Sequence, residues 1–150
     1  MSTIEQSIDV RVPVSTAYNQ WTQFEEFPKF MDGVERVVQQ DDTRLHWVAE
    51  IAGQKREWDS QITEQHPDER IAWTSPSGTG NAGVVTFHRL DDVTTRVMLQ
   101  MEVYPSDWTE KIGDAAGFVR RQVKEDLENF KEFIEGRGVE TGSWRGAVNQ

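Results

Sequence analysis

The chain has 150 residues, which predicts a single domain large enough to bury a hydrophobic core. Its 16 Lys and Arg residues and 26 Asp and Glu residues give a net charge of −10. This charge argues against nucleic acid and anionic membranes as partners, because both attract clustered basic side chains. The chain contains no cysteine, which excludes disulfides, thiolate nucleophiles and cysteine-based metal sites.

The first third of the chain predicts one strand and two short helices. Residues 3–12 alternate between apolar and polar side chains with few exceptions, as in a half-buried strand that ends at Pro13. Ser15 is a candidate N-cap for a first helix with apolar residues at helical spacing. The aromatic residues 24–31, interrupted by Pro28, predict a second short helix.

The middle of the chain has the period of two that is typical of β-strands. Short alternating segments are separated by turns, which is the pattern of an antiparallel meander. The predicted strands span residues 34–40, 45–51, 56–62, 70–74, 85–90 and 97–104.

After Asp107 the apolar period changes to three or four residues, which predicts one long amphipathic helix over residues 107–135. Asp107 and Glu110 form a candidate capping box, and the glycines that follow the helix end it. We therefore predict a domain over residues 1–136 and a polar tail over residues 137–150, where only Trp144 offers an apolar anchor.

Nothing in the sequence indicates a targeting or membrane segment. The N-terminus lacks the basic stretch and apolar run of a signal peptide, and no segment approaches the roughly 20 apolar residues that span a bilayer. We therefore expect a cytoplasmic protein with no integral membrane segment, present as a monomer or a homodimer.

The order of these elements predicts an α+β fold. A single antiparallel sheet must cover its apolar face, and only the C-terminal helix is long enough to do so. A curved sheet of about seven strands around one long helix, with two short helices after the first strand, leaves a space wherever the facing side chains do not fill it. That space is the candidate functional site.

Several short segments, in the right order and spacing, resemble the START-like superfamily, and within it the polyketide cyclase/dehydrase and coenzyme Q-binding group. The resemblance covers about residues 3–136. The segments that carry it are VPVSTAYNQW (12–21), FPKFM (27–31), PDERIAW (67–73), GVVTF (83–87), TRV (95–97) and DLENFKEFIE (126–135). Residues 140–146 also resemble an ending shared by a bacterial, often actinobacterial, subgroup.

The resemblance implies a helix-grip fold, as in the birch-pollen-allergen type, with a hydrophobic cavity between the sheet and the last helix. Members of such families bind lipids, quinones, polyketides or hormones in that cavity. Some cyclise polyketides, some only carry a ligand, and some act through protein partners. Similarity of fold does not choose among these activities.

Other motifs in the sequence favour no metal, cofactor or nucleophilic site. The G-x-G-x-x-G over residues 78–83 precedes a predicted strand, whereas a dinucleotide site needs a helix there. The three histidines, His46, His66 and His88, form no metal-ligand cluster, and no G-x-S-x-G elbow is present. We expect no metal and no cofactor, and no residue can be named as catalytic.

The tryptophans are the most informative feature of the composition. Trp47, Trp58 and Trp73 all fall on predicted strands. They are either ordinary core residues or cavity residues whose flat rings and N–H groups hold a ligand and its oxygen. Trp58 shares its strand face with Arg56, which makes Arg56 a candidate polar anchor.

The predicted cavity lining combines strand and helix positions. The phenylalanines of the predicted corner between the short helices form either a gate at the cavity mouth or a plug. The small residues Gly113, Ala116 and Gly117 leave three alternatives open: close approach of the sheet, room for a ligand, or a break in the helix. The predicted lining is Trp47, Trp58, Ile62, Trp73, Phe87, Met101, Trp108, Ile112, Ala116, Val119 and Val123, with Phe24, Phe27 and Phe30 at the mouth.

Three functions are consistent with these features of the sequence. The first is the binding of a hydrophobic small molecule, such as a lipid, a quinone or an aromatic polyketide. The second is an enzyme of the polyketide cyclase or dehydrase type, which would need a polar group projecting into the cavity. The third is a protein-partner module, which a cavity filled by its own side chains would favour.

Overall fold

The predicted order of elements is confirmed. The computed structural model describes residues 2–51, 53–76, 81–103 and 115–148. Within them the elements are β1 (Ser2–Val10), α1 (Val14–Trp21), a 3-10 helix (Phe24–Lys29), β2 (Val34–Gln39), β3 (Arg44–Ile51), β4 (Gln54–His66), β5 (Arg70–Thr74), β6 (Asn81–Asp91), β7 (Thr94–Val103) and α2 (Ala115–Arg137).

The seven strands form one curled antiparallel sheet in the order β1-β7-β6-β5-β4-β3-β2. Strands β2 to β7 each pair with their neighbour in the chain, as in a meander, and β1 joins the free edge of β7. The α+β class and the antiparallel sheet predicted from the sequence are therefore confirmed. Neither of the described α-helices is long and apolar enough to cross a membrane.

Helix α2 covers the concave face of the sheet with one apolar stripe. The buried residues of this stripe recur every three or four positions, as an amphipathic helix requires, at Val119, Val123, Leu127, Phe130 and Ile134. The second half of the helix is also tied to the first strand and the residue after it. Lys131 Nζ donates to the carbonyl of Asp9 (2.9 Å), and the backbone N–H of Arg11 donates to Glu135 Oε2 (2.8 Å).

Aromatic rings fill the corner between α1, the 3-10 helix and α2. The ring of Trp21 lies 5.1 Å from that of Phe130 and 5.5 Å from that of Phe27, both at steep angles. Phe30 in turn lies 5.2 Å from Phe130. Edge-to-face contacts of this kind stabilise a core beyond simple burial. The corner thereby fixes where α1 meets the last helix.

Most strand bounds differ from the sequence prediction by one to four residues, and two differences have a clear local cause. Helix α1 begins at Val14 with Pro13 as its N-cap and without a side-chain cap, so Ser15 lies inside the helix. Strand β4 extends to His66, beyond the predicted end at residue 62. The prediction stopped there because the register of the strand shifts between Ile62 and Glu64. A bulge there changes which residues face inward, and the alternation that marks a strand is interrupted. The predicted helix start at residue 107 lies outside the described residues.

The end of the chain packs against α1 and the β4–β5 turn. We call residues 140–148 the C-terminal strap. Asn19 Nδ2 donates to Glu140 Oε2 (2.7 Å), and the Gln20 side chain makes two hydrogen bonds with Thr141. Val148 forms a β-bridge with Gln65. Polar contacts therefore hold this segment, whereas the sequence offered only Trp144 as an anchor.

Removal of the strap tests its contribution to stability. A variant that ends after Gly138 leaves the buried side chains of Asn19 and Gln20 without these partners. Because each lost hydrogen bond costs about 0.5–1.5 kcal/mol, we expect the free energy of unfolding in urea to fall by about 3 kcal/mol. Arg121→Ala, an exposed change on α2, is the control and should change it by less than about 0.5 kcal/mol. An unchanged unfolding midpoint after truncation would contradict a stabilising strap.

Candidate ligand cavity

A cavity of about 150 Å³ lies between the concave face of the sheet and the first half of α2. Strands β3, β4, β5 and β7 supply one wall, α2 supplies the opposite wall, and the aromatic corner closes one side. It is partly open and lined mainly by apolar side chains. Concave apolar spaces with a few polar groups are the usual form of small-molecule sites.

Most of the predicted lining residues within the described part of the chain lie on this cavity. The strand residues among them lie on one face of their strands, and the helical residues lie about one turn apart, so that all face the same space. The predicted residues that line it are Trp47, Trp58, Ile62, Trp73, Met101, Val119 and Val123, together with Phe24 and Phe27 from the predicted mouth. That they contact a ligand stays a prediction.

Three predicted residues do not line the cavity. Phe87 packs at a steep angle against Tyr18 at 5.4 Å, because the curled sheet turns this part of β6 toward α1. Phe30 is buried against Phe130 and Phe133 on α2. Arg56 turns along its own strand, where Nη2 donates to Gln54 Oε1 (3.1 Å).

The remaining predicted residues belong to the part of the chain that the structure leaves undescribed. Trp108 and Ile112 lie outside the described residues. Ala116 lies in α2, but its side chain is outside the description, as is Gly113. Their proposed place on the cavity therefore stays a prediction.

The tryptophans form an aromatic part of the cavity wall. Trp47 and Trp58 are direct cross-strand partners, and their rings stack 5.8 Å apart and 5° from parallel. The indole N–H of Trp47 donates to Ser60 Oγ (2.8 Å), and that of Trp73 donates to Asn81 Oδ1 (2.7 Å). Each of these two N–H groups therefore has a protein acceptor, so the alternative in which they hold a ligand oxygen is not favoured.

Sequence reasoning missed the main polar feature of the cavity, Asp126 on α2. Its Oδ1 accepts a hydrogen bond from Gln122 Nε2 (3.0 Å), one helical turn earlier, and both residues line the cavity. The signal was present in the sequence. Positions 122 and 126 directly precede Val123 and Leu127 of the buried stripe, where polar residues are expected only at its margin.

Burial, together with the nearby negative charges of Asp32 and Glu125, raises the pKa of Asp126 to about 7. The hydrogen bond from Gln122 and the backbone N–H of Asp32 oppose this shift. A carboxyl group of this kind changes between a hydrogen-bond donor and an anion close to neutral pH. The cavity therefore carries one group suited to proton transfer or to pairing with a polar ligand atom.

The histidines lie away from the cavity lining. His46 is on the other face of β3 from Trp47, where its ring nitrogens contact Asp59 (2.7 Å) and Glu57 (3.1 Å), and hydrogen bonds to these carboxylates raise its pKa. His66 and His88 do not line the cavity either. Among the described residues, no three His, Asp or Glu side chains are placed to hold a metal ion.

Asp126 makes the stability of the fold depend on pH. The folded protein binds a proton at this carboxyl more tightly than the unfolded chain, whose pKa is near 3.8, so its contribution favours folding in acid and is lost as pH rises through about 7. Asp126→Asn should therefore raise the free energy of unfolding at pH 8 by about 2 kcal/mol, and much less at pH 4.5. Urea unfolding at both pH values measures the difference.

The exposed neighbour Glu125 provides the control for this prediction. Glu125→Gln removes a charge from the same helix without touching the cavity lining, so its effect should be small at both pH values. A pH-independent difference between Asp126→Asn and the unmodified protein would mean that this carboxyl is well hydrated in the folded state.

Comparison with known proteins identifies a family. The sequence profile of the family described as polyketide cyclase/dehydrase and lipid transport matches residues 10–132. The chain is also 64% identical over 149 residues to an uncharacterized 17.2 kDa protein from the melC2–rnhH intergenic region of Streptomyces lincolnensis, covering 99% of both chains.

Solved structures show the same fold at low identity. The Zhui aromatase/cyclase from Streptomyces sp. R1128 is 16% identical with a TM-score of 0.72, covering 95% of this chain and 99% of that one. A START superfamily protein from Mycobacterium smegmatis is 16% identical with a TM-score of 0.63, covering 90% and 95%. The helix-grip, START-like architecture that the sequence resembles is thereby confirmed.

Proposed function

Because this chain belongs to the polyketide cyclase/dehydrase and lipid transport family, we propose that it binds a hydrophobic small molecule with a flat ring system. The site is the cavity between the sheet and α2. The observation that carries the proposal is the stacked pair of Trp47 and Trp58, which places two large aromatic side chains in the wall of that space.

The physical basis of binding is burial of apolar surface. Removing apolar area from water stabilises a complex by roughly 25 cal/mol per Å², before the costs of association. Aromatic faces add offset-stacked and edge-to-face contacts with a ligand ring. The indole N–H groups of Trp47 and Trp73 are already satisfied within the protein, so these side chains offer a ligand mainly their apolar surfaces.

A second candidate function is catalysis of the cyclase or dehydrase type in the same cavity. Asp126 favours it, because a carboxyl with a pKa of about 7 can accept a proton from a carbon next to a ketone and return it to an oxygen. The cavity would hold a reactive chain in a folded conformation. Likeness to the Zhui aromatase/cyclase at 16% identity shows the fold alone, so the reaction needs a direct test.

The third function, a protein-partner module with a filled cavity, has less support. This function would be favoured if the side chains of the sheet and the helix left no space between them. A cavity of about 150 Å³ is present instead, and it is large enough to hold several water molecules or part of an apolar ligand.

Native mass spectrometry of the purified protein, followed by organic extraction, tests the binding proposal first. We expect an apolar molecule at close to one equivalent. If the protein is purified empty, titration with lipids, quinones and flavonoids should change the tryptophan fluorescence. A chain that is empty and unresponsive to every member of the panel would contradict the proposal. Incubation with a reactive poly-β-keto chain then separates carriage from turnover.

Filling the cavity tests where the ligand binds. Val123 is buried on α2 and lines the cavity, so Val123→Phe should occupy the ligand's space and weaken binding by about 10-fold or more. Val38 is 42% exposed on β2, and Val38→Phe makes the same chemical change away from the cavity. Equal affinities of the two variants, measured by tryptophan fluorescence, would place the ligand elsewhere.

A further inference from the structure

The charge of the cavity restricts which ligand it can accept. Among the described residues that line it, only Glu50 and Asp126 are of an ionisable type, and both are acidic. Glu50 is exposed and lies on the same face of β3 as His46, so Asp126 is the charged group of the cavity. No described lining residue carries a positive charge. A ligand anion would have to lose its hydration without gaining a cation, which is costly inside an apolar site.

Asp126 keeps acceptor capacity for a ligand. Gln122 donates to Oδ1 and the backbone N–H of Asp32 also donates to the carboxylate, but the two oxygens of an ionised carboxyl together accept about four hydrogen bonds. The charges close to this carboxylate are Asp32 on the loop before β2 and Glu125 on α2, both negative. An ammonium group placed here would meet a carboxylate oxygen and would relieve the repulsion among these acids.

We infer that the preferred ligand is a flat aromatic molecule that carries a protonated amine, with the amine paired to Asp126 and the rings against Trp47 and Trp58. This inference rests on the proposed binding function. It goes beyond that function by assigning the charge of the ligand and the residue that recognises it.

Three physical terms favour the amine over a matched carboxylic acid. Tryptophan faces attract cations through the quadrupole of the ring, and the attraction grows when the cation is desolvated. The carboxylate of Asp126 compensates the desolvation of the ammonium. The net charge of the whole chain, −10, adds a long-range preference of the same sign. Arg56, the polar anchor that the sequence offered for an anion, does not line the cavity and donates to Gln54.

Three probes with the same ring system test the inference: 2-naphthylmethylamine, 2-naphthalenemethanol and 2-naphthoate. At pH 8 the amine should bind at least about 10-fold more tightly than the alcohol, and the alcohol more tightly than the acid, as measured by calorimetry. At pH 5.5 Asp126 becomes protonated while the amine stays charged, so the advantage of the amine should fall several-fold.

Substitutions assign the preference to one residue. Asp126→Asn should bring the amine and the alcohol to within about 2-fold of each other, since it keeps the shape but removes the charge. Glu125→Gln should preserve the preference. Circular dichroism and urea unfolding establish that both variants are folded.

The outcomes separate this inference from the binding function. Binding of 2-naphthoate as tight as that of the amine would overturn the inference, above all if Arg56→Gln then abolished it. A preference for the amine that survives Asp126→Asn would overturn it as well. If none of the three probes binds, including the neutral alcohol, the binding of flat aromatic molecules is contradicted too.

Discussion

The structure depends on one constraint: a single helix must cover the whole concave face of a seven-stranded sheet. Helix α2 meets this constraint unevenly. Its second half is buried through Phe130 and Ile134 and tied to β1 and Arg11 by Lys131 and Glu135. Its first half lies opposite β3, β4 and β5, and the cavity lies between them. The tight half holds the helix in place while the other half leaves the cavity open.

The aromatic corner and the strap follow from the same constraint. Helix α1 closes one side of the cavity, so its apolar residues Ala17 and Trp21 face inward. Its other side carries Asn19 and Gln20, which are buried because the strap covers them and supplies their hydrogen bonds. Polar groups buried without partners would cost more than they contribute. The strap therefore allows α1 to be buried on both sides.

The sequence predicts elements well where one physical rule acts alone. Alternation located all seven strands, and the three-to-four period located the helix stripe. Prediction was weaker where several elements meet. Phe87 has the correct alternation to line the cavity, but the curl of the sheet turns it toward Tyr18. The polar bonds of the strap join residues more than 120 positions apart, which no local pattern can reveal.

Asp126 shows why the most informative residue of the cavity was also the hardest to find. Most of its sequence neighbours are charged, which is typical of a solvated helix surface. Only the position of the sheet shows that Asp126 borders an apolar space. Burial of this carboxyl costs stability at neutral pH, since its ionised form is disfavoured there. An asparagine at this position would accept the same hydrogen bond from Gln122 at lower cost. The proposed ligand-binding function accounts for this cost, because the charge can pair with a ligand or move a proton there.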